Sequence, residues 1–224
     1  MTKFQGWQQA PAEDFVRPEG RRLFWFLLRE HAWAMMGVNC LTVLMCLPVV
    51  TAPAAIAACT EYCLHLIEDR PGRAWGIYWM AFRKHGWSAA IYGLFCLLLP
   101  GGLFLLCNIY LHNSLHVLHW QSSACLAGVL LIWMVGFYAF PMLCRVQLPV
   151  RTVLSNSFRL FCLKIWKCIL PLMLQSALLV LSVLCLPVGL LFPLLLGIVF
   201  PTYLSVYLCY PDILQYVVKP FSAK

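Results

Sequence analysis

The sequence predicts an all-α protein, a polytopic transmembrane helical bundle of about six membrane segments with amphipathic helices along its inner face. Three observations carry that expectation. Hydrophobic residues make up 62% of the 224 residues and charged residues only 11%, and the mean hydropathy is +0.82, well above the roughly half-apolar usage of globular domains. Apolar runs suited to about 30 Å of hydrocarbon recur from Ala32 to Tyr210. When those runs alternate in direction, all 16 lysines and arginines fall on one face, as the positive-inside tendency favours. The chain then divides into a cytoplasmic segment (1–31), one bundle (32–210) and a cytoplasmic tail (211–224). This implies a multi-pass cell-membrane protein with both termini cytoplasmic.

The elements follow in order. Residues 1–31 are polar, carry Arg17, Arg21, Arg22 and Arg29, and lack the short apolar core and small-residue cleavage site of a signal peptide. The first apolar segment covers 32–50. It ends in LPVVTAPAAIAACTEYC (47–63), where Pro48 and Pro53 bracket a break that a continuous ideal helix cannot cross. Thr51, between them, can offer its hydroxyl to the freed backbone groups. If 32–50 were the only early crossing, the basic N-terminus and the basic stretch 70–84 would lie on opposite faces, so the alanine-rich segment 53–68 is expected to turn back. A re-entrant hairpin, leaving five crossings, is the alternative. Both early segments are short, roughly 25 Å at 1.5 Å per residue, and need tilting or burial within the bundle. Later segments cover 87–110, 123–144, 167–187 and 188–210. Amphipathic helices are expected at 75–85, where Trp75, Tyr78, Trp79 and Phe82 precede Arg83 and Lys84, and at 151–166, where Phe158, Phe161, Cys162 and Ile165 repeat the spacing. LPGGL at 99–103 and LPVGL at 186–190 hint at a parallel internal repeat.

The returning segment holds the candidate polar site. Ala54, Ala55, Ala57 and Ala58 make it slender, and Ala54 with Ala58, like Ala89 with Gly93 and Ala124 with Gly128, forms a small-residue pair that lets another backbone approach. Glu61 lies about 12 Å of helix rise before Asp69, deep in the predicted segment, where an ionisable group is a site hypothesis by default. His65, one turn on, can hydrogen-bond it or share a proton. A hydrogen-bonded structural glutamate explains the same residues. His112, His116 and His119 share one helical arc and are a weak metal candidate, since no carboxylate or cysteine accompanies them. The 12 cysteines contain no CxxC, most lie in apolar runs where cysteine acts as a small hydrophobe, and Cys59 with Cys63 has no evident further ligands. No metal or other cofactor is called for.

The net charge of +8 matches anionic lipid at the inner face better than nucleic acid, because acidic residues intersperse the basic ones. No Walker loop, nucleophile elbow or HExxH motif occurs, so no enzyme of those kinds is expected.

LPVVT followed by PAAIAA, then WMAFRKHGW, YAFPMLCRV and SNSFRLFCLKIW, resembles the YesL-like family of small bacterial integral membrane proteins across most of the chain. The resemblance implies a link to carbohydrate uptake, beside sugar transporters. The expected function is therefore a non-enzymatic accessory, or partner-binding component, of a membrane transport system, with a transporter subunit as partner. A small transporter or channel using Glu61 is the first alternative, and a metalloenzyme built on the histidine trio the second.

Overall fold

The computed structural model describes residues 20–113, 118–146, 149–184 and 197–218. They are helical almost throughout: α1 (Arg21–Cys46), α2 (Ala52–Ile67), α3 (Ala74–Asn113), α4 (Leu118–Arg145), α5 (Val150–Leu163), α6 (Ile165–Leu184) and α7 (Val199–Ile213). The chain divides into two compact units, 1–32 and 33–224. In the first, α1 starts after Gly20, whose φ of +59° sets the turn into the helix, and Leu27 is buried between exposed Arg22 and Arg29.

In the second unit α2 is central. A single 3-10 turn, Val49–Thr51, joins it to α1. The Thr51 hydroxyl lies 2.5 Å from the Met45 carbonyl oxygen and 2.9 Å from that of Pro48, so one hydroxyl faces two carbonyls at the break, and the Pro48 carbonyl also accepts the Thr51 amide at 2.9 Å. Proline in the first turn starts α2, where its missing N–H costs nothing. At the other end Asp69 adopts φ 55° and the Arg70 amide donates to the His65 carbonyl at 3.0 Å. This Schellman arrangement closes the helix and reverses the chain.

Helix α2 packs against α3, α4 and α7, and Ala54, Ala55, Ala57, Ala58, Cys59, Tyr62, Cys63 and Leu64 are buried. Small residues allow the close approach. On α3 the buried stripe runs through Ile77, Tyr78, Ala81, His85, Ala89 and Tyr92, the 3- and 4-residue steps of one helix face. A Cβ added to Gly93 would overlap the ring of Pro53, whereas one added to Gly76 would meet nothing. Helix α7 is capped from α1: Asn39 Oδ1 accepts the Ile198 and Val199 amides, both at 3.0 Å, satisfying donors a helix start leaves open. Helices α6 and α7 are joined by Lys167 Nζ, which donates to both Asp212 carboxylate oxygens at 2.8 and 2.7 Å, while Tyr138 donates to Asp212 at 3.3 Å.

Among the described residues no helix is long and apolar enough to cross a membrane. This overturns the expected polytopic transmembrane bundle, in both its six-segment and its five-crossing form, together with the integral-membrane character and the multi-pass cell-membrane placement with cytoplasmic termini. Length and polarity explain it. Helix α2 has 16 residues and α7 has 15, about 24 and 22 Å at 1.5 Å per residue, short of a core of about 30 Å. Helix α1 has 26, but Arg21, Arg22, Arg29 and Glu30 fall in its first ten and Asn39 and Thr42 beyond.

The amphipathic segments are also corrected in detail. Residues 75–85 are the start of α3 rather than a separate helix, with Tyr78 fully buried and Trp75 and Trp79 exposed; Arg83 lies 5.4 Å over the Trp79 ring. The expected 151–166 helix is α5, which ends at Leu163. Its buried face is Val153, Ser157, Leu160 and Phe161, and Phe158 points outward. The aromatic spacing read in the sequence follows two faces at once.

Replacing Gly93 by alanine is expected to destabilise the protein by about 1–3 kcal/mol, the cost of overpacking a closed contact. Gly76→Ala, where space is open, should stabilise it by roughly 0.5–1 kcal/mol through helix propensity. Denaturant midpoints of the two variants measure the contrast, and equal shifts would contradict the packing.

Candidate functional site

The Schellman turn at Asp69 has a chemical consequence, because it sends Arg70 back along α2. Its Nη1 reaches Glu61 Oε1 at 3.4 Å, and its Nε lies 2.6 Å from Glu68 Oε2 as a charge pair not aligned for a hydrogen bond. Arg145, at the end of α4, holds Glu68 Oε1 at 3.1 Å, and Tyr210 of α7 donates to the same oxygen. Two carboxylates and two guanidiniums thus balance in charge where α2, α4 and α7 meet, which offsets the cost of taking ions out of water.

Glu61 is the buried end of this network, only 7% exposed. His65 Nε2 lies 3.4 Å from its Oε1, so Arg70 and His65 both address one oxygen. The other, Oε2, is buried and has no hydrogen-bond partner, and neither has His85 Nε2. Glu61, His85 and Cys144 come together from α2, α3 and α4, each with a ligand atom within 4.8 Å of the others'. Cys144 Sγ contacts the Ala57 carbonyl oxygen at 3.4 Å, which fixes the thiol against the alanine face of α2.

The electrostatics follow from burial. Burial is the main cause that pushes the Cys144 thiol well above its ordinary value, and the Glu61 carboxylate adds to it. Burial pulls His65 below its ordinary value, helped by Arg70. It does the same to His85, helped by Lys84. Both imidazoles are therefore neutral near pH 7, and each offers a lone pair rather than a positive charge.

The structure brings Glu61 and His65 together, as the spacing predicts. Thr51, Pro48 and Pro53 sit at the opposite end of α2, about 15 Å of helix away from Glu61, and take no part in this cluster. A midplane site at Glu61 has no crossing helices among the described residues to define it. His116 lies outside the described residues, as do the side chains of His112 and His119 and the motif at 186–190. The eight described cysteines are free thiols.

His85 and Cys144 were not legible as site residues. His85 reads as part of the basic run RKH, although its four-residue step from Ala81 and to Ala89 places it on the buried stripe. Cys144 carries no motif, and only the fold brings it to Glu61.

No family model matches the chain, and neither a characterised protein nor a solved structure does. The YesL-like likeness accordingly stands on the motifs quoted above.

A pH dependence follows. Both histidines hold their protons less tightly folded than unfolded, where the ordinary value is about 6.5. Their contribution to stability is therefore present above pH ~6.5 and is lost as pH falls through it, because the unfolded chain then binds more protons. Urea midpoints should fall between pH 7 and pH 5, and His85→Gln should flatten that slope. An unchanged slope would contradict the burial of His85.

Proposed function

We propose that the protein is a non-enzymatic accessory of a transport system that works by docking an apolar helix of its partner along α6. One observation supports this reading above others. Trp166, Leu170, Met173, Ala177, Val180 and Leu184 follow one another at steps of four, three, four, three and four residues, and all six are exposed. That spacing is a coiled-coil seam, and Trp166 presents 81% of its surface outward. An exposed apolar stripe of this extent marks an interaction surface, and its heptad spacing fits a helix laid alongside it.

The opposite side of α6 is anchored through Cys168, buried, and the Lys167 to Asp212 pair, so the seam is held outward by the rest of the fold. Transport is the setting implied by the YesL-like resemblance, which also supplies carbohydrate uptake as the cargo class. The partner is then a helical subunit of the transporter itself.

A photo-crosslinking residue at position 177, with position 151 on α5 as the control, tests the proposal in cells. Position 177 is expected to capture a peptide from a helix of one transporter subunit, and position 151 is not. Cross-links from position 177 to lipid alone, or equal products from both positions, would overturn the docking reading.

A further inference from the structure

We infer that Glu61, His85 and Cys144 form a binding site for one divalent transition-metal ion of the zinc type. The three residues offer a carboxylate oxygen, an imidazole nitrogen and a sulfur from three different helices, all buried, with ligand atoms within 4.8 Å of one another. A tetrahedral ion with bonds of ~2.0–2.3 Å places its ligands about 3.3–3.8 Å apart, so the trio needs only small side-chain adjustments to close around an ion. The donor set selects the metal. Thiolate and imidazole suit zinc and its neighbours, whereas calcium and magnesium require oxygen ligands.

Two features separate this cluster from an ordinary polar core. Glu61 Oε2 and His85 Nε2 are both buried without a hydrogen-bond partner, and each residue is only 7% exposed; other unpartnered atoms occur in this core, but here two stand beside a third possible ligand, the Cys144 sulfur, whereas most buried polar atoms in folded proteins are paired. The second feature is the division of labour on Glu61. Arg70 and His65 both approach Oε1 at 3.4 Å and leave Oε2 for another partner, the outer support that ligating carboxylates use.

On loading, the Cys144 thiol loses its proton to solvent and the sulfur bonds the ion, so one thiolate, one carboxylate and a neutral imidazole bring the divalent ion to zero net charge. Arg70 and Lys84 are described cations that face the cluster; loading exchanges one proton for a divalent ion and so adds one positive charge, while Arg70 keeps Glu68 as a partner at 2.6 Å. Protein ligands fill three positions, and water fills the fourth. His65 and Arg70, with side chains 18% and 33% exposed, connect the site to the surface.

The test uses the full-length chain, stripped with chelator and titrated with Co²⁺ and then Zn²⁺. One Co²⁺ per chain is expected, with a sulfur-to-cobalt charge-transfer band that Zn²⁺ abolishes. Cys144→Ser should lose the band, and His85→Gln should lose most of the affinity. His65→Ala, which touches only the supporting oxygen of Glu61, should weaken binding by roughly 10–100-fold and keep the band. Cys209→Ser, on α7, should behave as the parent chain. Far-UV circular dichroism confirms that each variant is folded, and the parent titration decides if one is not. No charge-transfer band in the parent chain, or the same band in Cys144→Ser, would overturn the inference.

Discussion

The contact of Pro53 on Gly93 is the constraint on which the rest of the structure depends. It requires one residue without a side chain facing a ring that cannot move, and it sets how closely α2 lies on α3. With alanines along α2 and Ala81 and Ala89 on α3 filling the seam, the two helices run together at a separation that larger side chains could not reach. The break at Pro48 to Thr51 serves the same end, because it lets α2 begin where the ring of Pro53 meets the glycine.

That closeness brings His85 toward Glu61. In a wider pair of helices the carboxylate would be reached by water, and the imidazole on the buried stripe would face apolar atoms. Here the two lie in one enclosed cluster with Cys144 of α4, whose thiol rests on the alanine face. The turn at Asp69 completes the arrangement by returning Arg70 over Glu61 and Glu68. Packing and charge are therefore not separate stories in this protein: the small residues create the burial, and burial makes Arg70, Arg145 and Tyr210 necessary partners for the acids.

Local features were well marked in the sequence, and their context was not. The helix break at Pro48 and Pro53, the slender character of α2, the pairing of Glu61 with His65 and the small-residue step from Ala89 to Gly93 all follow from residue type and spacing. Composition does not carry that context. An apolar fraction of 62% says how much surface must avoid water and nothing about what covers it, and a helix of 16 residues such as α2 spends its apolar positions on α3, α4 and α7. His85 was hidden by its charged neighbours, and Cys144 by distance along the chain. The ion pair of Lys167 with Asp212 was equally invisible, since 45 residues separate the partners.

Residues 57–64 of α2 are buried without interruption, and that enclosure holds the site. Native-state amide hydrogen exchange measures it directly. Amides of residues 57–64 should exchange only through global unfolding, with a free energy equal to that from denaturant melts, while those of α5 open more readily. Exchange of the α2 amides at or below the free energy found for α5 would contradict the account.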